Sequence, residues 1–75
     1  MAYKFYRYQY AAIPDRGFVK SGNLYYHTTA SIDHNELKTQ VKDHLKNPHL
    51  QIAIHSIEQI DQQQYEILTG KRFRN

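Results

Sequence analysis

The fold is decided by one stretch of the chain, IDHNELKTQVKDHLKNP, which occupies residues 32–48. Asp33 is a favourable helix N-cap, and Glu36 follows three residues later with the spacing of a capping box. Pro48 disfavours the helical conformation for the residue that precedes it. The pattern therefore predicts a helix that runs from about Asp33 to Lys46.

The predicted helix is amphipathic but has a narrow apolar side. Leu37, Val41 and Leu45 recur at every fourth position and form a single stripe. Ile32, ahead of the cap, has the spacing of a hydrophobic staple with Leu37. Because an isolated helix of this length is marginally stable, the stripe requires a sheet to pack against.

The segment before the helix alternates as β-strands do. Residues 2–12 are rich in aromatic side chains and predict a first strand. The run Ile-Pro-Asp-Arg-Gly at 13–17 is typical of a turn. Ser-Gly-Asn at 21–23 indicates a further interruption, after which residues 24–30 predict a second strand.

The segment after the helix predicts two more strands. Residues 50–60 are rich in Ile, and their alternation slips by one position near His55, which predicts a β-bulge. Residues 61–63 form a polar turn, and residues 64–68 predict a short fourth strand. The basic residues 70–75 are expected to form a flexible tail.

These elements predict an α+β fold of the order β-β-α-β-β. A right-handed crossover through the helix gives a four-stranded antiparallel sheet with the spatial order 2-1-3-4. A single helix covers one face of that sheet, so the domain, residues 1–69, is a two-layer sandwich. The side chains expected to face the helix are Tyr6, Tyr8, Tyr10, Leu24, Tyr26, Ile32, Leu37, Val41, Leu45, Ile52, Ile54, Ile57, Tyr65 and Ile67.

Composition narrows the class of protein. The chain has 75 residues, no Cys and a formal net charge of +3 at pH 7. The length fits one small domain, and the lack of Cys excludes disulfides and thiolate metal sites. No apolar run reaches the roughly 18 residues of a membrane span, and residues 1–10 lack the apolar core of a signal peptide. We expect a soluble cytoplasmic protein without membrane contact.

The sequence shows no catalytic signature. It has no nucleophile elbow, no phosphate-binding glycine loop and no His-Glu-x-x-His pair. Of the carboxylates, Asp33 and Glu36 are explained by helix capping. His34 and His44 do not have the i, i+3 or i, i+4 spacing that puts two ligands on one helix face. We expect no enzyme activity, no catalytic residue, no cofactor, no metal and no small-molecule substrate.

Contact with a protein is the first function that the pattern favours. In the first strand, the even-numbered tyrosines are assigned to the core, because Arg7 and Gln9 would be costly to bury on the other side. Aromatic side chains then remain on the uncovered face, as at partner sites, although Tyr also tolerates water on a plain exposed sheet. The expected interface, for a protein partner or a homodimer, consists of Tyr3, Phe5, Arg7, Tyr25 and His55.

Binding of RNA or single-stranded DNA is the alternative function. Lysines recur every four residues along the helix, and Arg7 stands among aromatic residues that could stack on bases. The same lysine line is also typical of the solvated side of an amphipathic helix. The expected nucleic-acid contacts are Arg7, Lys38, Lys42, Lys46, Lys71, Arg72 and Arg74.

Three stretches carry a family resemblance: KFYRY at residues 4–8, Ala30 ahead of the helix, and IAIHSIEQI at residues 52–60. Together they resemble the archaeal ribosomal LX family. The resemblance implies a strand–strand–helix–strand order and contact with RNA, and it assigns no binding residue. The chain departs from the family in lacking the strongly basic character of a ribosomal protein.

Overall fold

The computed structural model describes residues 3–72 and shows a small α+β fold. A three-stranded antiparallel sheet has the order β2-β1-β3. The elements, in chain order, are β1 (Lys4–Ile13), β2 (Lys20–Thr28), α1 (His34–Leu45), β3 (Gln51–Ile60) and α2 (Gln62–Thr69). Within residues 3–72, no helix has both the length and the apolar character that crossing a membrane requires.

The helix prediction is confirmed in α1. The Oδ1 atom of Asp33 accepts a hydrogen bond from the Asn35 backbone N–H at 2.9 Å, which satisfies a first-turn donor. Lys46 ends the helix in the left-handed conformation, with a φ of 56°. Leu37 and Val41 are fully buried against the sheet, as the apolar stripe predicts.

The strand order and the bulge are also confirmed for β1 to β3. β1 lies in the middle and pairs with both neighbours in antiparallel fashion. Gln9 lies opposite Ser56, but Tyr10 lies opposite Ile54, so His55 is the extra residue on β3. This extra residue places Ile57 on the α1 face together with Ile52 and Ile54.

The predicted interruption at residues 21–23 is wrong, because β2 runs without a break from Lys20 to Thr28. Gly22 lies opposite Tyr10, and a Cβ at position 22 would be 2.8 Å from the Tyr10 hydroxyl oxygen. The glycine therefore makes room for an aromatic ring that crosses from β1. What the sequence shows as a turn signal is a close approach inside a strand.

The predicted fourth strand is also wrong, because its residues form the helix α2. The Oδ1 atom of Asp61 accepts from the Gln64 N–H at 2.6 Å and caps the N-terminus. Gly70, in the left-handed conformation, ends the helix. Tyr65, expected to face the predicted helix, is buried instead against Phe5 on the opposite face. Ile67, also expected in the core, is 74% exposed, because a helix does not hold both on one side.

α2 covers part of the sheet face opposite α1. The prediction of a two-layer sandwich with one sheet face left open is therefore wrong. Phe5 lies against Tyr65, with ring centroids 4.8 Å apart, and Ile60 packs with both. Phe5 is only 3% exposed, so its expected place on an open aromatic face is wrong. The sheet is packed on one face by α1 and at one end of the other face by α2.

We predict that Gly22→Ala lowers the free energy of unfolding by about 1–3 kcal/mol, the usual range for overpacking a core. The added methyl group would press on the Tyr10 ring, which is buried. Urea denaturation measures the change. Ser21→Ala is the matched control, because Ser21 is the neighbouring strand residue and is exposed. Equal midpoints for the two variants would contradict the packing role of Gly22.

We also predict that acidification weakens the attachment of α2. The Nδ1 atom of His27 lies 3.0 Å from the Tyr65 hydroxyl oxygen. Burial lowers the pKa of His27, and the nearby charge of Lys71 lowers it further. The unfolded chain has the ordinary value of about 6.5 and takes up its proton first as the pH falls. Stability is therefore full above about pH 6.5 and decreases as the pH falls toward the folded pKa.

Thermal unfolding between pH 8 and pH 5 measures this effect. His27→Asn should flatten the loss of stability on the acidic side. The control is His55→Asn, because His55 is exposed at the bulge. The assignment to His27 fails if both variants follow the same pH profile as the original chain.

Candidate functional site

Exposed apolar side chains occur at the end of β1 and in the loop that follows it. Phe18 in the loop is 92% exposed, and Val19, next in the sequence, and Ile13, the last residue of β1, are also exposed. We call these three residues the hairpin patch. Gly17 has a φ of 105° and turns the chain, so that the residue after it leaves the sheet.

A cleft of about 270 Å³ opens beside the hairpin patch. Apolar side chains of β1, α1 and the segment before β3 line part of it, and basic side chains of the hairpin lie at its rim. This volume is at the lower end for a small-molecule pocket and suits side chains of a partner better. The lining residues are Ala12, Pro14, Arg16, Gly17, Phe18, Lys20, Leu45, Asn47 and Leu50.

The hairpin end is positively charged. Arg16 and Lys20 line the cleft, and Lys46 lies between two of its lining residues in the sequence. Asp15 is the one acidic residue of the loop, and it lines an adjoining cleft that Arg16 shares. Within residues 3–72, the salt bridge of the structure joins Arg7 to Glu58 on β1 and β3, so the cations of the hairpin end are not neutralised by an ion pair.

α2 carries a second exposed apolar group. Ile67 and Leu68 are neighbours on its outer side and are both exposed, while Tyr65 faces the sheet. We call Ile67 and Leu68 the helix patch. The helix itself contains no Lys or Arg and one acidic residue, Glu66. The helix patch is therefore apolar, and the helix that carries it has no basic side chain.

The predicted protein interface is divided by α2. Phe5 is beneath the helix, and Tyr25 is half-buried with its ring edge-on to Tyr65 at a centroid distance of 6.4 Å. Both side chains are thus part of the contact between α2 and the sheet. They belong to the internal packing of the chain and are not presented as one open surface.

The remaining predicted interface residues lie apart. Tyr3 is exposed and packs its ring edge-on to His27 at 5.6 Å. Arg7 forms its salt bridge with Glu58 and is half-buried. His55 is exposed at the bulge of β3. Of the three aromatic residues in the predicted interface, Tyr3 is the one that remains exposed.

The predicted nucleic-acid contacts fall on two faces. Lys38, Lys42 and Lys46 follow α1, with Lys42 half-buried and the other two exposed. Arg7 is on the opposite face of the sheet, next to Tyr25 across the strands. The exposed Lys71 and Arg72 follow α2 on that opposite side, and Arg74 is outside the described residues. The sheet therefore separates the three lysines of α1 from Arg7, Lys71 and Arg72.

A third cleft, of about 470 Å³, lies between α1 and β2, and its polar groups are engaged within the fold. The Tyr26 hydroxyl donates to the Glu36 carboxylate, and this hydrogen bond, with burial, raises the pKa of Tyr26. The Tyr8 hydroxyl donates to Gln40 Oε1 at 2.7 Å, and Gln40 Nε2 donates to the Tyr25 carbonyl at 2.8 Å. These contacts join α1 to the sheet.

The surroundings of two of these tyrosines, Tyr8 and Tyr26, raise the pKa values of their hydroxyls. Burial raises the pKa of Tyr8 well above its ordinary value, and the proximity of Tyr10 adds to the effect, so the phenol stays protonated. Among residues 3–72, no group of three His, Asp or Glu side chains is arranged to hold a metal ion.

Sequence reasoning missed the residues that form the two patches. Phe18 is not among the contact residues that the sequence predicts, and Ile67 is expected in the core. A signal for Phe18 was present, because it directly follows the turn sequence Pro-Asp-Arg-Gly. For Ile67, the N-cap Asp61 and the terminating Gly70 were the signals of a helix that would place it outside.

Comparison with known proteins yields no matching family model, no matching characterised protein and no matching solved structure. The resemblance to the archaeal ribosomal LX family therefore receives no support from the family comparison. The function has to be argued from the surface of this chain alone.

Proposed function

We propose that this chain is a small non-enzymatic binding module of the cytoplasm, which acts through protein contact, with self-association as the simplest form. The observation that carries the proposal is the hairpin patch, in which Phe18 is 92% exposed and Ile13 and Val19 are also exposed. The absence of Cys fits a reducing compartment.

The energetic argument rests on the phenyl ring. Removing such a side chain from water contributes about 1.5–3 kcal/mol. The neighbouring aliphatic side chains add to the area that a partner would cover. Aromatic residues at the centre of an interface commonly carry most of the binding energy. Phe18 is such an aromatic residue, and Arg16 and Lys20, which line the same cleft, form a polar rim.

The hairpin patch replaces the sheet face as the proposed contact site. The expected sheet interface depended on Phe5, which Tyr65 of the same chain covers. The hairpin patch is not covered by α1 or α2. It also lies on a hairpin whose two strands are paired up to Ala12 and Lys20, so the loop is held at its base.

We predict that the chain self-associates and that Phe18→Ser reduces the association constant at least tenfold. The ring makes no large contribution to the core, so far-UV circular dichroism should be unchanged. Sedimentation velocity over a range of concentrations measures the association, with His34→Ser as a matched exposed control on α1. A wild-type chain that stays monomeric at hundreds of micromolar contradicts self-association.

Binding of RNA or single-stranded DNA is the second candidate, favoured by one observation. Arg16 and Lys20 line the cleft that Phe18 also lines. Basic side chains beside an exposed aromatic ring can hold phosphates while the ring stacks on a base. The lysines of α1 lie apart from Arg7, Lys71 and Arg72. The nucleic-acid contacts expected from the sequence therefore do not form one continuous surface.

If this second function holds, the double substitution Arg16→Gln and Lys20→Gln should weaken binding to mixed RNA or single-stranded DNA. The slope of log K against log salt should decrease by roughly 0.7 for each lost contact with a single strand. The matched control is Lys38→Gln with Lys42→Gln. An equal decrease in the control would move the contacts to α1, and no binding at low salt would exclude the function.

A further inference from the structure

We infer that the partner of the hairpin patch is the helix patch of a second copy, so that copies of the chain associate head to tail. This inference rests on the proposed function and names the partner of the same site. Within residues 3–72, the exposed large apolar side chains are Tyr3 and the members of these two patches.

The two patches lie at opposite ends of the molecule. β1 begins next to α2, where Phe5 packs on Tyr65, and it ends at the hairpin, where Ile13 precedes the loop. The molecule is elongated, with extents of 43 × 23 × 19 Å. The patches of one copy therefore do not cover each other, and each is available to another molecule.

The two patches suit a contact between a helix and a cleft. Phe18 of the hairpin patch lines a cleft of about 270 Å³ that also has apolar lining from Leu45 and Leu50. In the helix patch, Ile67, 74% exposed, and Leu68 are exposed side chains of a helix. Insertion of an apolar helix side into a groove is a recurring mode of recognition between proteins.

The charges favour this pairing over contact between two hairpin ends. Two copies of the hairpin end would bring Arg16 and Lys20 against the same cations, with Asp15 as the acidic residue of each loop. α2 has no basic residue between Gln62 and Thr69, and it carries Glu66 after the N-cap Asp61. The basic residues Lys71 and Arg72 come after Gly70, beyond the end of the helix.

A head-to-tail contact leaves one unused patch at each end of every assembly. The contact is heterologous, so it generates an open chain of copies, or a ring if the rotation between neighbours closes. The average mass should then increase steadily with protein concentration. A two-fold dimer would instead reach a limit at twice the monomer mass.

Complementation between two variants of the full chain tests the inference. Phe18→Ser removes the hairpin patch, and Ile67→Ser removes the helix patch; both side chains are exposed, so both variants should fold. Each variant alone should be monomeric. Their equimolar mixture should form 1:1 dimers, because Ile67→Ser supplies an intact hairpin patch and Phe18→Ser supplies an intact helix patch. Sedimentation velocity and native mass spectrometry measure these species.

The matched control is Gln63→Ser, an exposed substitution to the same residue within α2, which should associate as the wild type does. The inference is overturned if Ile67→Ser still associates while Phe18→Ser is monomeric, a result that leaves the proposed function standing with a two-fold hairpin contact. If both variants associate like the wild type, the inference fails and the contact lies outside both patches, whereas a monomeric wild type overturns the inference and the proposed self-association together. A mixture that forms no dimers overturns the inference alone.

Discussion

The structure depends on one strand, β1, which has aromatic side chains on both faces and therefore requires cover on both. Tyr8 faces α1 and Phe5 faces α2, and both are almost fully buried. As the middle strand, β1 also uses its backbone groups on both edges, in pairing with β2 and β3. Because the two faces and edges of β1 are occupied, the apolar groups left for contact are at the ends of the molecule.

Local signals explain which elements the sequence could predict. The start of α1 is determined by Asp33 and by neighbours within four residues, so its limits follow from the sequence alone. The bulge at His55 follows from the change in alternation along β3. The order β2-β1-β3 follows from the connection through α1 and the antiparallel pairing.

The missed features depend on residues that are distant in the sequence. Residues 64–68 alternate like a strand. Their helical conformation is favoured because it lets Tyr65 pack on Phe5 and remove that ring from water. Gly22 has the composition of a turn, and its place within β2 is explained by the Tyr10 ring on the neighbouring strand. The same reasoning applies to the candidate site. Whether Phe18 is buried or exposed depends on which distant parts of the chain pack over it, and the local sequence does not determine this.

The pairing of β1 with β3 has a consequence for the kinetics of folding. Arg7 and Glu58 are joined across these strands although they are 51 positions apart. A ribosome synthesises β1 and β2 before either helix and before β3, so the nascent hairpin has an aromatic strand with one free edge and two uncovered faces. Contacts of such long separation slow folding and expose the intermediate to aggregation. The early hairpin therefore presents apolar surface until α1 and α2 have been synthesised and can cover it.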